Sequence, residues 1–161
     1  MPIPHEFESF WAAAKAAGAN LEDARFLEAF AFGDSVGLAE ELGQLVVYGV
    51  KKATASLVWT YEAENRSIPK RGDLSIVTSW DKRPLCIIET TNVDVVPFEE
   101  VSAEFAQVEG EGDATLSSWR RNHEAFFARE CVRVGHTPSS RMLVVCERFR
   151  VVYQPSGASA A

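Results

Sequence analysis

Two short segments of the chain hold side chains whose types and spacing could do chemistry. The first is Gly49-Val50-Lys51-Lys52-Ala53-Thr54. A glycine at a helix end lets the backbone turn left-handed, and Lys51 and Thr54, three residues apart after that turn, can converge if the chain stays curled. A lysine held partly out of water loses proton affinity and can act as a general base. A hydroxyl beside it is then a candidate nucleophile. The same residues also read as a helix C-cap whose solvated lysines answer the helix dipole, and spacing alone leaves both readings open. The second segment runs from Phe105 to Asp113, where Glu109 and Glu111 alternate with Gly110 and Gly112. Glycine removes bulk beside each carboxylate, and a carboxylate aimed at Lys51 would hold and tune it. A flexible acidic loop is the alternative.

Other chemistries leave no trace. There is no phosphate-cradling Walker loop, no dinucleotide glycine fingerprint, no His-Glu-x-x-His and no Gly-x-Ser-x-Gly. His5, His123 and His136 are dispersed, and Cys86, Cys131 and Cys146 lack the tight paired spacing of a zinc site or a disulfide framework. No metal or cofactor is expected.

The elements that must position these residues change character along the chain. Residues 5–17 place Phe7, Phe10, Trp11 and Ala14 on one helical face, with Gly18 and Asn20 as a stop. Residues 21–32 repeat the pattern with Phe26, Leu27, Phe30 and Ala31, and read as a second helix. Ser35 can cap a third, carrying Leu38, Leu42, Leu45 and Val46, which ends at Tyr48-Gly49. The aromatic side chains of this first third read as core packing. Beyond Gly49 the texture is that of strands and turns: a turn over 67–73, a strand over 74–80, a turn over 81–84, then strands over 85–93 and 94–98. A short acidic helix is expected over 98–106. Thr115 or Ser117 opens another, with Leu116, Trp119, His123, Phe126 and Phe127 at helical spacing. Strands close the fold over 142–153, where Glu147-Arg148-Phe149-Arg150 reads as a bent or solvent-exposed stretch. This order implies an α+β class with a small closed sheet.

Composition sets outer limits. At 161 residues, with 47% hydrophobic and 24% charged side chains, the chain fits one domain. No apolar run reaches the roughly 18 residues of a membrane span, and the N-terminus lacks the pattern of a secretory signal. The expectation is a soluble cytoplasmic protein, monomer or homodimer. The net charge of −7 argues against coating duplex DNA. Its distribution is uneven: net +3 over residues 49–83, eight acids and no base over 84–113, and net +4 over 114–161. If the two basic segments meet in space, they would line a positive groove on an acidic body.

Taken in order, these segments resemble the ASCH family, whose hallmark Gly-x-Lys-x-x-Thr/Ser motif stands here as Gly49, Lys51 and Thr54. The likeness continues through residues 69–73, 87–93, 106–110, Leu116 to Trp119 with His123, and 144–149. It implies a PUA-like β-barrel flanked by helices over 36–154, with a cleft beneath the barrel wall. Residues 1–35 would form an N-terminal helical extension packed on the barrel, and 155–161 a flexible tail. The resemblance also implies three functions. Longer bacterial members cleave single-stranded RNA without a metal, with the equivalent of Lys51 central. Short members are amidohydrolases of N4-acetylcytidine, whose Lys, Thr and Glu fall on Lys51, Thr54 and Glu109. Others are non-catalytic RNA-binding modules. Tyr48, Arg71, Glu111 and Arg141 are the expected substrate contacts, with Trp80 a further surface for stacking on a base. The implied partner is single-stranded RNA or a modified nucleoside.

Overall fold

A computed structural model describes residues 2–155, so the tail expected over 155–161 lies, from residue 156 on, outside the described residues. The first helix, α1 (Glu8–Ala16), buries Trp11 and Ala14 and stops at Gly18, whose φ is +99°. The expected second helix is instead a 3-10 turn, Asp23–Arg25, followed by a strand, β1 (Phe26–Phe30). A short apolar run does not distinguish a buried helix from a strand by its period. What decides is an open strand edge that β1 can pair with. Ser35 does cap the next helix, α2 (Val36–Val47), its Oγ accepting from Leu38 N at 3.2 Å.

The sheet is completed by β2 (Ala53–Leu57), β3 (Leu74–Thr78), β4 (Pro84–Pro97) and β5 (Leu143–Tyr153). Its order is β1-β3-β4-β5-β2, with β1 parallel to β3 and every other pairing antiparallel. The sheet does not close: β1 and β2 are its outer strands, so the α+β class holds while the closed barrel does not. Residues 85–97 of the two strands expected over 85–93 and 94–98 form one, whose register against β5 shifts between Thr90 and Asn92. A short helix, α3 (Val58–Ala63), follows β2 directly.

The acidic helix begins later than expected. Phe98–Glu100 is a 3-10 turn, Val101 is extended and buried, and only then does Ser102 cap α4 (Ala103–Glu109), accepting from Phe105 N at 3.0 Å. Thr115 caps α5 (Leu116–Val134) in the same way. Three apolar clusters hold the layers together. Trp11 and Ala14 of α1 pack on Phe26, Leu74, Ile76 and Ile87. Leu42 and Val46 of α2 pack on Val77, Cys86, Ile88 and Phe149. Phe105 of α4 and Trp119 and Phe127 of α5 pack on Ala53, Leu57, Val144 and Cys146. The three cysteines are free and buried, as their scatter suggested.

Candidate active-site cleft

Gly49 ends α2 with φ +80°, and the amides of Val50 and Lys51 both donate to Leu45 O, at 2.9 and 3.0 Å. The chain thus curls inward at Lys51. Gly110 terminates α4 in the left-handed region (φ +70°), and a β-carbon there would lie 2.4 Å from Val50 O. Lys52 N donates to Val108 O at 3.0 Å. The two segments singled out in the sequence are therefore packed backbone to backbone, at a contact that only glycine permits.

This contact brings Lys51 to both glutamates. Its Nζ donates to Ala53 O at 2.7 Å, Glu109 Oε2 at 2.9 Å and Glu111 Oε2 at 2.6 Å, and lies 5.2 Å from the centre of the Phe32 ring. Lys51 and Glu109 are each only 1% exposed. Trp119 Nε1 donates to Glu109 Oε1 at 2.6 Å, and His123 Nε2 stands 3.4 Å from that oxygen while its Nδ1–H donates to Trp119 O. Burial by itself would pull the lysine's proton affinity down. The adjacent charges of Glu109 and Glu111 outweigh it and hold Lys51 above its ordinary value. Glu109, despite burial, is held well below the carboxylate range by Lys51 and His123. Glu111 is raised, by burial first, with the charge of Glu109 adding to it. His123 is raised as well: burial opposes the charged ring, and Glu109 more than compensates.

These contacts define the state of the Lys51 side chain. All three of its hydrogens are directed at acceptors, and the protonated form offers no lone pair. Glu109, Glu111 and His123 place ligand atoms within 4.8 Å of one another. The Lys51 ammonium already supplies positive charge at that point, and a metal ion there would have to displace it.

Beside the cluster opens a cleft of about 900 Å³. Thr54, Ser56 and Glu147 line it from the sheet, Phe30 from the end of β1 and Phe32 from the segment after it, and His123 and Phe126 from α5. Glu109 and Glu111 reach it; Lys51 sits one layer behind the wall. Eight carboxylates and three arginines line the cleft, and every arginine is paired. Arg66 binds Glu28 and Glu64, Arg129 binds Asp34, and Arg133 binds Glu64 and Glu130, all at 2.6–2.9 Å. The positive groove expected from the two basic segments is thus an acidic cleft.

Of the expected contacts, Thr54, Glu109, Glu111 and Trp80 line the cleft, whereas Tyr48, Arg71 and Arg141 do not. Tyr48 is 48% exposed at the end of α2. Arg71 is exposed just before β3. Arg141 is bound to Glu99 and Glu100, each at 2.8 Å. Glu147 was missed. The stretch expected to be bent or exposed is regular β5, with Glu147 and Phe149 buried while Arg148 and Arg150 pair outward with Glu104 and Glu89. The signal was there in the strict alternation of those four residues, which buries every second side chain. Glu147 Oε2 accepts from Thr90 Oγ1 at 2.7 Å, and burial pushes the carboxyl up to about 7.

Residues 28–153 match the model of the ASCH domain. No curated protein matches the chain. Two solved structures are similar over nearly the whole chain. The ASCH domain from Lactobacillus crispatus JV V101 is 32% identical with a TM-score of 0.84, over 94% of this chain and 97% of that one. Protein EF3133 from Enterococcus faecalis V583 is 35% identical with a TM-score of 0.80, over 93% and 90%. The chain belongs to the ASCH domain family.

Proposed function

We propose that the cleft takes a compact, uncharged acylated nucleoside and hydrolyses its amide at Thr54, with N4-acetylcytidine as the substrate to test. The observation that carries this reading is the charge of the lining: eight carboxylates surround Thr54, and all three arginines are already neutralised by them. A phosphodiester strand needs free cations facing its phosphates, and none is present among the described lining residues. A neutral nucleoside needs an apolar face for its base and acceptors for its hydroxyl and amino groups. Phe30, Phe32 and Phe126 with the surrounding carboxylates offer both. The volume lies within the roughly 300–1,000 Å³ of small-molecule pockets. Interaction with RNA, which the family resemblance implies, and metal-independent cleavage of single-stranded RNA rank second, because the cations they require are occupied.

In this reading Lys51 is a positioning residue. It holds Glu109 and Glu111 at the cleft wall, while Thr54 supplies the nucleophile. The test is a parallel assay of one preparation. Acetate release from N4-acetylcytidine with single-stranded RNA left intact is the expected result. RNA cleavage without acetate release would reverse the order of the two readings.

A further inference from the structure

A carboxyl group outside every motif of the sequence faces Thr54. Thr54 of β2 and Glu147 of β5 are direct partners in antiparallel register. Such partners share one face of the sheet, with β-carbons about 4.5–5.5 Å apart. Both line the cleft. One oxygen of Glu147 accepts from Thr90. Among the described residues no donor reaches the other, Oε1, and no polar side-chain atom is buried without a partner, so Oε1 opens into the cleft. Among the described residues no cation pairs with this carboxyl, although it is only 5% exposed.

The groups around it act in both directions. Glu28 of β1 and Asp73 before β3 are like charges that disfavour its ionisation, while Lys51, behind the wall, favours it. Tyr61 of α3, itself pushed up to about 12 by burial, stays a neutral phenol. With burial the largest influence, Glu147 titrates at about 7, where a group can both accept and return a proton at neutral pH. Lys51 cannot, because its three hydrogens are committed.

We propose that Glu147 is the group that takes the Thr54 hydroxyl proton, a role that rests on the amidohydrolase reading. The proton of Thr54 Oγ passes to Glu147 Oε1 as Oγ adds to the acyl carbon. Collapse of the adduct breaks the C–N bond, and the same proton goes to the departing exocyclic nitrogen. Water then adds to the Thr54 ester and gives a proton to Glu147, which returns it to Oγ as the carboxylic acid leaves. One water is consumed for each amine and acid released.

The experiment measures acetylation of Thr54 by p-nitrophenyl acetate, located by peptide mass spectrometry and followed against pH, with thermal melts of each variant. In the native protein the rate should rise with pH through a midpoint near 7. Glu147→Gln should lower it roughly a hundredfold and remove the midpoint, while Glu147→Asp retains the midpoint at an intermediate rate. Equal rates in native protein and Glu147→Gln would overturn the proposal, and so would a native Thr54 that is never acetylated. If Glu147→Gln fails to fold, Glu147→Asp decides: a rate and midpoint identical to native overturn the role. A native protein whose Thr54 is acetylated in this Glu147-dependent way, yet which leaves N4-acetylcytidine intact, overturns the substrate reading and leaves Glu147 in place.

Discussion

Glu109 and Glu147 are both buried carboxylates at the wall of one cleft, and their surroundings drive them to opposite states. Glu109 faces an ammonium at 2.9 Å, an indole N–H at 2.6 Å and an imidazole, and stays ionised. Among the described residues Glu147 has one hydroxyl donor and no cation beside it, so burial wins and its carboxyl titrates near neutrality. Burial alone therefore does not say what a carboxylate does; its partners do. Both oxygens of Glu109 are held by donors. Glu147 has a donor on one oxygen alone among the described residues, and this difference from Glu109 is what the proposed proton transfer rests on.

The strongest way to break this contrast is to remove the cation from the first cluster. Lys51→Met keeps most of the volume but leaves Glu109 buried without its main partner. Urea denaturation should show a loss of roughly 3–5 kcal/mol, and adding Glu109→Gln should restore much of it. An unchanged unfolding midpoint in Lys51→Met would mean that the pair does not hold Glu109 ionised. Glu147→Gln should have the opposite sign. Because the folded-state pKa of Glu147 lies above its usual 4.5, the native state holds that proton more tightly than the unfolded chain. Stability is therefore lost as pH rises from about 4.5 to about 7, and the penalty is complete above that window. Removing the titration should raise stability above pH 7 by about 3 kcal/mol and flatten the pH dependence in between, as read from melts across pH. A Glu147→Gln protein no more stable than native at pH 8 would show that the carboxyl is ordinary. The smallest effect is expected from Thr90→Val, which deletes the one donor to Glu147. Since that hydrogen bond favours the ionised form, the midpoint of Thr54 acetylation should move upward by less than about one pH unit, from a bond worth about 1 kcal/mol. A downward shift would mean that Thr90 does not act on Glu147 as a donor.

Much of this molecule was legible along the chain, because many of its signals are local. Ser35, Ser102 and Thr115 cap their own helices through amides three residues away, and the alternation of β5 follows from the pleat of a strand. The motif at 49–54 and the glycine-spaced glutamates were also visible, and they meet because Gly110 lets Val50 O come close. Three matters needed the tertiary structure. Phe26–Phe30 is a strand because the edge of β3 is there to pair with, and no periodicity of its own says so. The basic segments make no groove because their arginines find acids far away in sequence, as Arg129 finds Asp34, 95 residues away. The charge states of Lys51 and Glu147 depend on who stands beside them. Lys51 is held as a cation by carboxylates 58 and 60 residues on, whereas Glu147 has, among the described residues, no cation beside it and one donor, Thr90, 57 residues away. Residue type and spacing set which groups can ionise, but the free energy of a charge depends on the distance to its partners and to water, and only the folded chain sets those distances.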